Sequence, residues 1–182
     1  MGGTAAMNIF ILNTGRCGST TFIKACQHIS NYSAAHESRC TLTGEQRLAY
    51  PENHIEADNR LSWLLGRLDR VYGDDAFYVH LSREKNKTAE SFARRSDFGI
   101  MKAYREGILM QESQNNSELA MAQDYIETVE SNIALFLKDK TQTMQFTLEN
   151  AEADFKQFWK SINAEGDLEA ALTEWQTNYN AS

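Results

Sequence analysis

Proline is almost missing from this chain: Pro51 is the only one in 182 residues, and no proline-rich or low-complexity linker divides it. Cysteine is scarce and odd in number, three in all, which argues against a secreted disulfide framework. The four histidines, His28, His36, His54 and His80, show no ligand spacing with Cys17, Cys26 and Cys40, so no metal site is expected. Nowhere does an apolar run approach the roughly 18 residues of a membrane span. The stretch from Met7 to Leu12 is too short for a signal-peptide core and lacks a basic start. These absences predict a soluble, cytoplasmic protein. Residues 1–6 are read as disordered or as an addition ahead of Met7, and they stay outside the fold reasoning.

What remains is ordinary globular material, 42% hydrophobic and 24% charged, which excludes a disordered or fibrous chain. The length predicts one domain over residues 1–182, long enough to bury a core unaided. The net charge of −7 makes general nucleic-acid binding a poor reading, because duplex affinity comes mostly from neutralised phosphates. The charge is uneven. Residues 83–105 carry 7 basic and 3 acidic groups, whereas residues 106–182 carry 4 and 14. A short basic island in an acidic chain suits a small anionic ligand, and equally a helix with a solvated basic face.

Asn8 to Leu12 reads as a buried parallel strand, and Asn13-Thr14-Gly15 as the turn into a helix over 19–29. Leu61, Leu64, Leu65, Leu68, Val71 and Tyr72 predict an amphipathic helix over 57–72, stopped at Gly73. A second strand is expected over 77–81 and a helix over 86–95. A long helix is expected over 118–137 and a third strand over 143–148. Phe155, Phe158, Trp159 and Ile162 mark a helix over 154–162, closed by Gly166; Asp167 caps the next, whose face carries Leu168, Leu172 and Trp175. Residues 38–56 show no clear element and are read as a functional loop. Strands alternating with helices predict an α/β fold: a three-layer, P-loop-like arrangement with a central, mainly parallel sheet. Ligands in such folds sit at the carboxyl ends of strands.

The loop after the first strand runs Gly15-Arg16-Cys17-Gly18-Ser19-Thr20-Thr21. Its glycines let the backbone curl around an anion, the first helical N–H groups point inward, and its hydroxyls add donors. It is not the nucleotide-triphosphatase loop, whose first glycine would fall at Asn13 and whose lysine would fall at Ser19. Residues 16–21 resemble the 5′-phosphosulfate loop of sulfotransferases that use 3′-phosphoadenosine 5′-phosphosulfate (PAPS). A second motif agrees: Arg83 follows the strand 77–81, and Ser91 stands eight residues later. Members of that family hold the cofactor's 3′-phosphate with such a pair, a bidentate guanidinium fork and a hydroxyl. The resemblance covers roughly residues 8–176 and includes Phe146-Thr147-Leu148-Glu149-Asn150, like the family's late strand. Two departures stand out. Glu84-Lys85 replaces the usual Asp-Pro, and the Arg-Lys-Gly segment of cytosolic members has no counterpart; Arg94, Arg95, Lys102 and Arg105 are its candidate substitutes.

The resemblance implies a PAPS-dependent sulfotransferase that makes 3′,5′-adenosine bisphosphate (PAP) and needs no metal, with a small-molecule or glycan acceptor. Gly15, Arg16, Cys17, Gly18, Ser19, Thr20, Thr21, Arg83 and Ser91 would bind the cofactor. Arg16 would also stabilise charge on the bridging oxygen. A general base is then needed near the sheet edge, and His36 and Glu37 follow the first helix. Glu37 is favoured by analogy with carbohydrate-type and bacterial relatives. His36 is the substitute, with the more suitable unperturbed pKa, about 6.5 against about 4.3. His80 alternates inside a strand and reads as a packed residue. Cys17 lies at a helix N-terminus, which lowers a thiol pKa. Asn59, Arg60 and Trp63 read as capping and packing residues that could also line an acceptor pocket, and Tyr104-Arg105 could reach the adenosine. A nucleotide or phosphate kinase of the same architecture, or a non-catalytic relative binding adenosine bisphosphate, are the alternatives.

Overall fold

The computed structural model describes residues 6–111 and 116–177; of residues 1–6, read as disordered or as an addition, all but Ala6 lie outside them. Strand β1 (Ile9–Leu12) has no solvent exposure on either face. Ile9 and Ile11 enter one core, Phe10 and Leu12 the other. That even division explains the unbroken apolar run: a central parallel strand needs apolar side chains on both faces. β1 is flanked by β3 (His54–Ala57) and β4 (Phe77–Ser82), with β2 (Ser33–His36) beyond β3 and β5 (Thr143–Thr147) beyond β4. All four pairings are parallel.

Helices cover both faces. α1 (Ser19–Cys26), α6 (Ala151–Ser161) and α7 (Leu168–Thr173) pack on the Ile9 and Ile11 side, around Phe22, Phe146, Phe155 and Phe158. α2 (Leu65–Tyr72), α3 (Lys85–Ala93), α4 (Gly99–Ala103) and α5 (Glu118–Leu137) pack on the other, around Phe10, Tyr78 and Tyr125. The result is a three-layer α/β fold with a parallel central sheet, as the alternation of elements predicts. α5 spans the expected residues: Ser117 caps it by accepting from the Ala120 N–H, and its buried stripe runs from Met121 to Leu137 at helical spacing. Among the described residues, no helix is long and apolar enough to cross a membrane.

The expected helix over 57–72 is in fact three pieces. Ala57 ends β3, Asn59–Trp63 forms a tight 3-10 turn, and α2 begins only at Leu65. The break originates at Asp58, which is fully buried, accepts from the Arg60 N–H at 2.9 Å and pairs with buried Arg47. Leu61 and Leu68 are both buried, so the apolar period runs through the break and hides it. The stretch 38–56, read as a functional loop, holds a 3-10 turn over Gly44–Leu48 and most of β3. Gly166 also has a different task. α6 already ends at Ser161, and Gly166 bridges to Ile29 so closely that a side-chain carbon would strike the His28 carbonyl. α4 and the wider π turn Tyr104–Ile108 had no expectation attached to them.

Candidate functional site

A cleft of about 950 Å³ opens where all five strands end. Its centre is the loop after β1. Gly15, Arg16 and Gly18 all take positive φ, 87°, 57° and 94°, so the backbone makes a tight left-handed turn between β1 and α1. The φ of 94° at Gly18 is one that a side chain strains, which leaves glycine as the residue that fits, and a side-chain carbon there would also meet Leu148 Cδ1 at 2.8 Å. Gly18 is also the N-cap of α1 and brings no side chain to cap it, leaving the first-turn N–H groups to an incoming acceptor. Buried Asn13 shapes the approach: its Oδ1 accepts from the Gly15 N–H at 2.8 Å. Tyr125 donates to the Thr14 carbonyl at 2.7 Å and Ser62 to the Asn13 carbonyl at 3.1 Å. The loop is thus fixed from the α5 side of the sheet before any ligand arrives.

Among the described residues, five arginines line the cleft, Arg16, Arg60, Arg83, Arg94 and Arg95, against a single carboxylate, Glu37. Arg16 has its pKa lowered, first by burial and then by the positive charges of Arg95, Arg83 and Arg94. Cations crowded this way raise one another's energy, and an anion among them lowers it. Arg16 Nε donates to Ser91 Oγ at 2.9 Å, and Arg83 Nη1 reaches the Arg16 carbonyl at 3.4 Å. Those contacts join the loop after β1 to the arginine and serine that follow β4.

Gly15, Arg16, Gly18, Ser19, Thr20, Thr21, His36, Glu37, Arg83 and Ser91 all line this cleft. Cys17 does not. Its side chain is fully buried, with Sγ 3.6 Å from Asn13 Oδ1. Burial pushes the thiol up to about 12, the reverse of the depression expected at a helix N-terminus. A loop with alternating backbone conformations sends one side chain inward, and desolvation then outweighs the helix dipole.

His36 Nε2 lies 3.1 Å from Ser19 Oγ. Glu37 Oε1 lies 3.1 Å from Arg60 Nη1, with a third of the Glu37 side chain exposed. Glu37 takes φ 52° and its N–H donates to the Ala57 carbonyl, so the backbone holds it at the end of β2. Of the substitutes considered for the missing basic segment, Arg94 and Arg95 line the cleft. Lys102 does not, and Arg105 is engaged by Asp97 and Glu106 at 3.1 and 3.2 Å. Tyr104 is buried and donates to Asp124, away from the cleft. Trp63 packs near Tyr104 and Tyr125, while Asn59 and Arg60 reach the cleft.

No side chain from residues 38–56 lines it, which corrects the functional-loop reading of that stretch: Arg47, His54 and Glu56 are buried inside the fold, and residues 41–46 are exposed without lining the cleft. Phe98, Ile100, Leu148 and Trp175 do line it, although none of the four is expected there. Phe98 is more than half exposed, and its place beside two arginines was the one available signal. Trp175 reads as a core residue because it is one as well, packing against Phe22, Phe146 and Phe155.

No family model and no curated protein matches this chain. Among solved structures it is similar to mouse sulfotransferase SULT7A1 complexed with PAP, at 10% sequence identity and a TM-score of 0.54. The likeness covers 93% of this chain, which spans 64% of the mouse chain. At that identity the likeness concerns architecture: the chain has a sulfotransferase-like α/β fold.

Proposed function

We propose that this protein is a sulfotransferase that moves a sulfuryl group from PAPS to a hydroxyl or amine of an acceptor. One observation carries the reading. Two motifs far apart in sequence meet in one cleft, joined by the 2.9 Å bond from Arg16 to Ser91 across 75 positions. A nucleotide with phosphate-type groups at both 5′ and 3′ positions needs two such anion sites at a fixed separation. The side-chain-free cradle at Gly18 and the crowded arginines fit that demand. The PAP complex of the mouse neighbour supports it.

When bound, PAPS supplies a sulfuryl group whose bond to the phosphate oxygen breaks as one to the acceptor forms, the electron pair leaving with PAP. The first-turn N–H groups and hydroxyls of Ser19, Thr20 and Thr21 hold the 5′ end. Arg16 balances charge on the bridging oxygen. Arg83 and Ser91, with Arg94 or Arg95 beside them, hold the 3′-phosphate. Glu37 accepts the acceptor's proton, with His36 the alternative one residue away. Catalysis of this kind rests on position and preorganised charge.

Calorimetric titration with PAP, with 5′-AMP and magnesium-ATP as controls, tests the reading. PAP is expected to bind far more tightly than 5′-AMP. Arg83→Ala should weaken it by about 1.5–3 kcal/mol, the worth of a charged hydrogen bond. Preference for magnesium-ATP would give the site to a kinase. Equal binding of PAP and 5′-AMP would remove Arg83 and Ser91 from the proposed role.

A further inference from the structure

The order of strands sorts the lining of the cleft into two unlike arms. β1 and its loop sit in the middle of the sheet, with β4 and β5 on one side and β3 and β2 on the other. Every apolar side chain in the lining, Phe92, Phe98, Ile100, Met101, Leu148 and Trp175, follows β4 or β5. From the β2 and β3 ends come His36, Glu37, Asn59 and Arg60: an imidazole, a carboxylate, a carboxamide and a guanidinium. Three of these planar groups, Glu37, Arg60 and Asn59, already form a chain of contacts, and His36 stands beside them on Ser19. Arg60 Nη1 lies 3.1 Å from Glu37 and 3.4 Å from Asn59 Oδ1, Asn59 Nδ2 donates to Thr14 at 3.4 Å, and His36 meets Ser19. Two of these contacts are long, and Arg60 and Glu37 are 40% and 33% exposed, so the set is accessible to another hydrogen-bonding molecule.

From this sorting we infer that the acceptor is a saccharide, bound through its hydroxyls by Asn59, Arg60, Glu37 and His36. The inference rests on the sulfotransferase reading, because Arg83 and Ser91 draw the nucleotide to the β4 side. In-line transfer then requires the acceptor on the opposite side of the sulfur, which is the β2–β3 arm. A sugar hydroxyl both donates and accepts, matching an arm that offers donors in Arg60 and Asn59 and acceptors in Glu37 and Asn59. A phenol or sterol ring laid there would cover those groups without satisfying them. Sites built to hydrogen-bond a ligand discriminate against analogues lacking the polar group by about 10⁴–10⁵.

The test is a calorimetric titration of PAP-saturated protein with chitobiose, maltose and a uronate disaccharide, and in parallel with 2-naphthol. At least one saccharide should bind at millimolar concentration or below, and 2-naphthol should not. Asn59→Ala and Arg60→Ala should each weaken the saccharide by about tenfold or more, and Asn59→Ala, which removes no charge, should leave PAP affinity within a factor of two. That unchanged PAP affinity also reports that the Asn59 variant is folded. Binding of 2-naphthol in preference to every sugar overturns the inference, as does saccharide affinity indifferent to Asn59 and Arg60, or no saccharide binding at all. Failure of PAP itself to bind would instead sink the sulfotransferase reading. The contrast between sugars and naphthol, repeated on the ligand-free protein, would then still decide the chemistry of the arm.

Discussion

At the scale of single residues, the arrangement around Glu37 separates holding from reacting. The left-handed backbone at Glu37 (φ 52°) costs a non-glycine residue energy. It is held there by its own N–H on the Ala57 carbonyl and by its carboxylate on Arg60. A carboxylate that serves as base acts in the transition state, and the nucleotide should not sense its loss. Glu37→Gln is therefore expected to lower kcat by about 10²–10⁴ with the PAP dissociation constant unchanged. Steady-state rates and calorimetry together check this. Should kcat survive and vanish instead in His36→Ala, the base is His36, acting from beside Ser19. Ten of the residues lining the cleft are expected from the sequence, the glycines and hydroxyls because they sit at a strand-to-helix turn, and Arg83 and Ser91 because of the resemblance to sulfotransferases. Cys17 was misread because spacing cannot say which way a side chain points inside a loop. Asn59 and Arg60 were read as capping and packing residues first, because the helix they were thought to open does not start there.

Among the elements, β2 and β3 are the ones whose polarity hid them. β2 is an edge strand, Ser33-Ala34-Ala35-His36, with no large apolar side chain and partial exposure throughout. Burial alone cannot hold it. What fastens it is β3, whose His54 and Glu56 are buried: His54 Nδ1 meets Ser33 Oγ at 2.7 Å, and Glu56 accepts from the N–H and hydroxyl of Ser38 at 2.7 and 2.8 Å. His54 and Glu56 also meet each other at 2.8 Å. Alternation of polar and apolar residues conventionally reads as a surface strand, and here the polar side is inside a hydrogen-bond network instead. Glu56→Ala leaves these donors without their acceptor and should cost on the order of 3 kcal/mol in urea unfolding. Glu56→Gln, which keeps one acceptor oxygen, should cost less; equal losses would show that volume, not hydrogen bonding, holds the strand. β4 offers a second check. Burial lowers the His80 pKa, partly opposed by Glu130, and Nε2 is buried with no partner among the described residues. A histidine whose folded pKa lies below its unfolded value of about 6.5 binds its proton more readily when unfolded. Its share of stability is intact above that pH and is lost as pH falls from about 6.5 toward the folded value. His80→Leu should therefore lose less Tm than the parent between pH 7.5 and 5.5, measured by thermal melts; parallel losses would mean that His80 titrates normally.

For the molecule as a whole, the α/β class was readable from the alternation of elements. The order of strands was not, since it depends on pairings between segments tens of residues apart that no local pattern encodes. The same holds for charge. The sequence is acidic, at −7, yet among the described residues the fold gathers five arginines around one cleft with a single carboxylate among them. An approaching anion meets two opposed fields, a diffuse negative one from the surface and a concentrated positive one from the cleft. Screening decides between them by distance. At about 0.1 M salt the Debye length is about 10 Å, so the dispersed acids fade while the cleft still acts at its mouth. At about 1 M it is about 3 Å, and only contacts remain. The PAP association rate should consequently fall by about an order of magnitude between those two salt concentrations, with the dissociation rate little changed. Lowering salt further, to about 0.01 M where screening extends to about 30 Å, should bring little additional gain, because the acidic surface then repels the ligand as well. Stopped-flow binding across this range reads both rates. A salt effect confined to dissociation would mean that the arginines act only in contact, and an association rate indifferent to salt would mean that the cleft exerts no steering field.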